Sequence, residues 1–241
     1  MNRQKLDIYV PMEGIRNNIL IIFFYGGSWD SGNKEKYKFV ASSLTEQGYT
    51  VAIPDYRIYP EVIFPDFMQD AALSIAWLQK DGKNLQHVEH TFLAGHSAGA
   101  QIAGLLATDD QYLENANADI QALDGFIGLA GPYNFLPLSS KRLKEIFPEN
   151  DRDNSQPINF VDGDEMPFLL LHGLKDKTVL PRNTETIADK INSMRGRVTV
   201  KYYSDVGHVE IIKPFVRGFE NSVPTIQDIN KFIKTTIKKE N

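Results

Sequence analysis

The chain has 241 residues, 42% of them hydrophobic, a length and composition that fit one large α/β domain with a sizeable core. Its formal net charge is -5 with both signs interspersed, which argues against nucleic-acid and anionic-membrane partners. Cysteine is absent, so disulfides and thiolate metal sites are excluded.

No linker, repeat or shift of composition divides the sequence, and residues 1–241 read as a single domain. Met1 to Lys5 carry no apolar stretch behind their charges, so no export signal is read and a cytoplasmic location is expected for the chain as given. Leu6, Ile8 and Val10 alternate with polar residues, an edge-type strand ended by Pro11. Ile19 to Phe24 is a continuous β-branched and aromatic run, which predicts a strand covered on both faces. With Tyr25 it is the longest apolar run, much too short to span a bilayer. Gly26-Gly27 stops it.

Lys34 to Gln47 predicts a helix with Tyr37, Val40, Ala41 and Leu44 on one face and Gly48 behind it. Tyr49 to Ile53 is the next buried strand, closed by Pro54. Asp66 to Lys80 is helical, with Phe67, Ala71, Ile75 and Leu78 inward. Thr91 to Ala94 leads as a strand into Gly95-His96-Ser97-Ala98-Gly99, and a small-residue helix pattern follows. Phe126 to Ala130 is a strand broken by Gly131-Pro132. The polar stretch from Pro137 to Asp164 (137–164) reads as a cap or pocket-border insertion. Phe168 to Leu171 and Val198 to Tyr203 are strands; Pro181 to Met194 and Val223 to Lys239 are helices. Strands alternating with helices imply a mostly parallel sheet covered on both faces, with ligands bound beyond the carboxyl ends of its strands.

The strand–GxSxG–helix pattern around Ser97 is the sequence form of a nucleophile elbow, a tight turn that lifts a serine oxygen off the sheet edge. A serine hydroxyl needs a neighbouring general base, and that base needs a carboxylate to fix its tautomer. Of the five histidines, His87 and His90 precede the elbow strand in a polar segment, His96 would point away from the serine hydroxyl, and His172 is expected to pack behind the site. His208 follows a strand on a loop loosened by Gly207 and is the expected base. Asp176, presented after a strand through a Gly turn, is the expected acid; Asp205, on the same loop as His208, is its rival. The backbone N–H groups of Gly27 and Ser28, after the first buried strand, and of Ala98, after the serine, are expected to form an oxyanion hole. No two histidines share ligand spacing on a helix, and no dinucleotide fingerprint or phosphate loop occurs, so neither metal nor cofactor is expected.

Four segments together resemble the α/β-hydrolase fold, and within it the carboxylesterases related to hormone-sensitive lipase. They are Gly26-Gly27-Ser28-Trp29, Asp55-Tyr56-Arg57 with Pro60-Glu61, Gly95-His96-Ser97-Ala98-Gly99, and His172-Gly173 with Asp176 then Gly207-His208. The resemblance implies a sheet of about eight strands and cleavage of small carboxylic esters through an acyl-enzyme on Ser97. An arylformamidase or other amide hydrolase of the same fold is the alternative, and a catalytically inactive binding member a further one. Whether the chain is a monomer or homodimer stays open. The family normally has His-Gly-Gly where this chain has Tyr25-Gly26-Gly27, so the usual brace of that loop is expected to be lost. Gly128 to Asn134 resembles a loop bordering the acyl pocket in small esterases, so Tyr133, with Trp29, is expected to line the substrate pocket. Those rings, with Phe215 and Phe219, favour short acyl groups.

Overall fold

Five of the seven predicted strands are apolar on both faces, and they form the interior of one sheet. The computed structural model describes residues 3–82 and 85–240, so the reading of Met1 and Asn2 lies outside the described residues. The strands are β1 (Leu6–Tyr9), β2 (Ile19–Phe24), β3 (Thr50–Pro54), β4 (His90–His96), β5 (Gly125–Leu129), β6 (Phe168–Gly173) and β7 (Val198–Tyr203). Their spatial order is β1-β3-β2-β4-β5-β6-β7. Only β1 runs antiparallel, with Leu6 opposite Pro54; every other neighbouring pair is parallel. Strands β2, β3, β5 and β6 are buried along their whole length, whereas β1 and most of β7 are partly exposed edges.

The sheet has seven strands among the described residues, not the eight or so that the resemblance implied. The reason is local. Between β1 and β2 the chain carries Pro11, Gly14, Asn17 and Asn18, which supply no apolar run to pair outside β1.

Helices α1 (Lys38–Glu46), α2 (Asp66–Asp81), α3 (Ala98–Thr108), α4 (Gln111–Asn115), α5 (Lys141–Ile146), α6 (Arg182–Ser193) and α7 (Thr225–Glu240) connect and cover the strands. All residues of α3 are buried, which explains its run of Gly and Ala: small side chains let the helix lie close on β4 and β5. The helix predicted over Lys34 to Gln47 is divided. Residues Lys34–Tyr37 form a tighter 3-10 turn, capped by the Asn33 side chain on the Lys36 N–H at 3.0 Å, and α1 begins only at Lys38. The Lys34 N–H is drawn instead to Asp55 Oδ1 at 2.9 Å. This break turns Tyr37 toward the carboxyl ends of β2 and β4.

The segment 137–164 contains α5 and three short 3-10 turns, Glu149–Asp151, Asp153–Ser155 and Pro157–Phe160. It is anchored by buried Phe147, whose ring meets those of Trp29, Phe64, Phe67 and Phe135, and by Ser155, whose carbonyl accepts from Gln101 Nε2 at 2.8 Å. No described helix is long and apolar enough to cross a membrane. The loops after β2, β4, β6 and β7 all leave the same end of the sheet, and they carry the residues singled out above.

Candidate active site

Ser97 sits between β4 and α3 with φ 55° and ψ -124°, a conformation that a side-chain-bearing residue adopts only under strain. The surrounding structure imposes it. The Ser97 N–H donates to the Leu129 carbonyl at 2.9 Å, and the Ser97 carbonyl accepts from Ala100 and Gln101 at 2.9 and 3.1 Å. The two glycines of the motif are required by contact rather than by flexibility. A Cβ on Gly95 would collide with the Gly99 carbonyl, and one on Gly99 with the Phe24 carbonyl of the neighbouring strand.

His208 Nε2 lies 2.8 Å from Ser97 Oγ, and His208 Nδ1 lies 2.7 Å from Asp176 Oδ2. A carboxylate can only accept, so Nδ1 carries the proton and Nε2 is free to take one from the serine. Asp176 is buried, and its other oxygen accepts from the N–H groups of Thr178 and Val179, both at 2.9 Å. Burial would raise its pKa, but hydrogen bonds from His172, His208 and the Val179 N–H hold it well below the usual carboxylate range. His172 is fully buried behind it, with Nε2 2.9 Å from the Val179 carbonyl and 3.4 Å from Asp176 Oδ2, and Nδ1 2.7 Å from Thr184 Oγ1. The rival Asp205 instead bonds Lys175 Nζ at 2.6 Å, with its side chain 84% exposed.

The loop after β2 turns through three consecutive positive φ values, Gly27 (143°), Ser28 (52°) and Trp29 (58°). Its Gly27 carbonyl is occupied by the Asp30 and Ser31 N–H groups at 3.1 and 2.9 Å. Among the described residues, the N–H groups of Gly27, Ser28 and Ala98 donate to no protein acceptor. The loop lies directly on the elbow: a Cβ on Gly26 would stand 3.0 Å from Ser97 Cβ.

Two expectations about this loop and its surroundings change. Tyr25 does not leave the loop without a brace. It is fully buried, stacks on Tyr56 at 4.6 Å, donates from its hydroxyl to Asp55 Oδ1 at 2.9 Å, and accepts at its carbonyl from the Tyr56 hydroxyl at 2.7 Å. Nor do Trp29 and Tyr133 form open walls of a pocket. Tyr133 is fully buried in a slot left by Gly104, Gly128 and Gly131. Trp29 is 5% exposed; its Nε1–H donates to Gln101 Oε1 at 2.9 Å, and its ring packs on Phe135 and Phe147. Phe215 is likewise buried, whereas Phe219 is exposed under the Lys213 ammonium.

His96 does point away from the serine hydroxyl, but it is not idle. Its Nε2 lies 3.1 Å from the His208 carbonyl and its Nδ1 3.0 Å from the Tyr37 hydroxyl. Burial, then the neighbouring His208, lowers its pKa from 6.5 to about 3, so the ring is neutral. No periodicity in the sequence signals this role, because both partners come from distant segments. His90 pairs with Asp124 at 3.0 Å and His87 Nε2 lies 3.2 Å from Thr50 Oγ1, at the other end of the sheet. Among the described residues no group of three or more His, Asp or Glu side chains is placed to hold a metal ion.

The model of the BD-FAE family matches residues 6–191. A probable isoprenylcysteine alpha-carbonyl methylesterase of Arabidopsis thaliana is 23% identical over 240 residues, covering 87% of this chain and 49% of that protein. The kynurenine formamidase of Salmo salar is 24% identical over 223 residues, covering 89% of this chain and 74% of its own. Esterase LipC of Mycobacterium tuberculosis (strain ATCC 25618 / H37Rv) is 27% identical over 216 residues, with 80% and 51% covered. The chain thus spans about half the length of the first of these relatives. Among solved structures, esterase B from Lactobacillus rhamnosis superposes with a TM-score of 0.82 at 20% identity, over 99% of this chain and 82% of that one. A truncated carbohydrate esterase from gut microbiota does so with a TM-score of 0.80 at 19% identity, over 96% and 90%. Both similarities show a shared α/β-hydrolase fold.

Proposed function

The chain belongs to the BD-FAE family, and from that premise we propose that it is a serine hydrolase cleaving small carboxylic esters through an acyl-enzyme on Ser97. The observation that carries this reading is the unbroken chain from Ser97 Oγ through His208 to Asp176, with links of 2.8 and 2.7 Å. Ser97 attacks the acyl carbon while His208 Nε2 takes its proton. The developing oxyanion is met by the N–H groups of Gly27, Ser28 and Ala98, each such donor typically worth about 10²–10³ in rate. His208 then protonates the leaving alcohol, Asp176 holds the imidazolium in place, and water releases the acyl group by the same route.

Formamide hydrolysis is the second reading. It is favoured by coverage: the two kynurenine formamidase relatives are matched over 74% and 73% of their length, against 49% to 56% for the methylesterases. The same machinery would attack an N-formyl carbon and protonate an amine. Short acyl groups remain the expected substrates, since the 137–164 segment turns its apolar residues Leu138, Ile146 and Phe147 into the core and leaves a polar exterior.

The test is a panel of p-nitrophenyl acetate, butyrate, octanoate and palmitate together with N-formylkynurenine, run on the wild type and on Ser97→Ala. The highest kcat/KM is expected among acetyl to about hexanoyl groups, with activity absent in Ser97→Ala and a fluorophosphonate adduct on Ser97 by mass spectrometry. An adduct at another serine with Ser97 unmodified overturns the nucleophile. A maximum at palmitate, or a jump in rate above the solubility limit, overturns the short-chain reading. N-formylkynurenine turned over faster than any ester selects the formamidase.

A further inference from the structure

We propose that His96 and Tyr37 act as a positioning relay that ties the oxyanion loop to the loop carrying the base, so that both are held against the elbow together. This rests on the serine-hydrolase reading and adds two residues to it. The hydrogen bonds have one consistent direction. The His208 carbonyl can only accept, so the His96 proton is on Nε2 and donates to it at 3.1 Å. The neutral ring then offers Nδ1 as an acceptor, which takes the Tyr37 hydroxyl proton at 3.0 Å. The Tyr37 oxygen in turn accepts from the Gly26 N–H at 3.2 Å. Gly26 immediately precedes the proposed oxyanion donors, and the His208 carbonyl belongs to the proposed base itself.

The loop of His208 is tied to the acid's loop by Lys175 N–H on the Val206 carbonyl at 3.0 Å, by Lys175 Nζ on Asp205 at 2.6 Å and by the His208–Asp176 bond at 2.7 Å. It is tied to the elbow by the Ser97 Oγ–His208 Nε2 bond at 2.8 Å and, from the backbone side, by His96 on the His208 carbonyl at 3.1 Å. Tyr37 is itself fixed by rings on three sides, Phe23, Tyr25 and Phe39 at 5.8, 5.9 and 5.7 Å. It reaches the relay because the helix breaks at Lys38. His96 is 4% exposed and both of its ring nitrogens are engaged, by the His208 carbonyl and the Tyr37 hydroxyl, so its action is through those groups. Its position in the pentapeptide fixes it to the nucleophile's own backbone. Nucleophile, base and oxyanion donors are thereby referenced to one buried imidazole.

The experiment compares Tyr37→Phe, His96→Asn and the double variant on p-nitrophenyl butyrate, with active sites counted by fluorophosphonate titration. Tyr37→Phe keeps the ring and loses only the hydroxyl; His96→Asn is too short to reach the His208 carbonyl. Each is expected to lower kcat per titrated site by about 10- to 100-fold with KM changed by less than about threefold, the signature of misplaced reacting groups rather than lost binding. The double variant is expected to lose no more than the worse single one, since the relay acts as a unit. His96→Gln, whose amide can still donate to the His208 carbonyl, is expected to recover part of the rate. Ring ¹⁵N shifts are expected to show His96 in the Nε2–H form in the wild type, with the Nδ1 signal displaced in Tyr37→Phe. Unchanged kcat per titrated site, additive losses, or lower thermal stability alone overturns the relay. A wild type that the fluorophosphonate leaves unlabelled at Ser97 overturns the hydrolase reading first and the relay with it.

Discussion

Asp176 and Asp205 leave the same end of the sheet on neighbouring loops, yet only Asp176 reaches His208. The difference lies in what each carboxylate meets. A buried carboxylate is costly unless it is hydrogen-bonded, and Asp176 has two backbone N–H groups and the His208 ring within 2.9 Å. Asp205 is solvated and paired with Lys175. Asp176→Asn is therefore expected to lower kcat by about 10⁴-fold, because the amide favours the wrong tautomer of the base. Asp205→Asn is expected to retain most activity; the reverse pattern would exchange the two assignments. The folded protein holds Asp176 below its ordinary pKa of 3.8, so the unfolded chain binds its proton first on acidification. The stability this group contributes is fully present above that value and is lost as pH falls from it toward the depressed one. Acid unfolding of Asp176→Asn should accordingly show a shallower slope below about pH 4 than the wild type.

At the scale of elements, the loop after β3 shows how residues apart from Ser97, His208 and Asp176 hold the candidate site. Arg57 Nε and Nη2 grip Asp70 of α2 at 2.8 Å each, the Arg57 N–H adds a third bond at 2.9 Å, and Gln4 Nε2 a fourth at 2.8 Å. Beside it, Asp55 holds Tyr25 and the first turn after the proposed oxyanion loop. The pair Arg57–Asp70 is thus a clamp between β3, α2 and the chain leading into β1. Arg57→Ala leaves the buried Asp70 with Gln4 as its remaining side-chain partner, and is expected to cost about 2–3 kcal/mol of stability. Denaturant unfolding measures this, and a loss below about 0.5 kcal/mol would mean that the clamp is redundant.

At the scale of the molecule, the site is assembled from four loops that meet only once the sheet is complete. Trp29 reports on that assembly because it sits on the loop after β2 proposed to hold the oxyanion, buried against Phe135 and Phe147. The chain has two tryptophans, and the other, Trp77, is exposed on α2. In a Trp77→Phe background, the red shift of Trp29 fluorescence, the loss of any p-nitrophenyl butyrate hydrolysis and the loss of far-UV ellipticity are expected at the same denaturant concentration. Activity lost at lower denaturant with ellipticity intact would show that the site loops open as a separate unit.

The apolar runs that become the seven strands, their mostly parallel stacking and the elbow at Ser97 are legible in the sequence, because each depends on neighbours along the chain: apolar runs, turn residues, and glycines where a Cβ has no room. The positions of Asp176 and His208 at strand ends are legible for the same reason. That they join Ser97 is expected from the order of the motifs; the geometry that joins them is not legible. The Ser97–His208 and His96–His208 bonds link residues 111 and 112 positions apart, and such distances are set by crossovers, not by local spacing. The same holds for the burial of Tyr133, whose slot needs Gly104 of α3 as well as the nearby Gly128 and Gly131, and for Tyr25, whose partners Asp55 and Tyr56 arrive on the loop after β3. The helix break at Lys38 belongs here too, since a carboxylate from β3's loop captures the Lys34 N–H. Sequence alone determined which groups stand at the carboxyl edge; only the assembled sheet decided which of them touch, because a hydrogen bond requires positions within a few tenths of an ångström that no local pattern encodes.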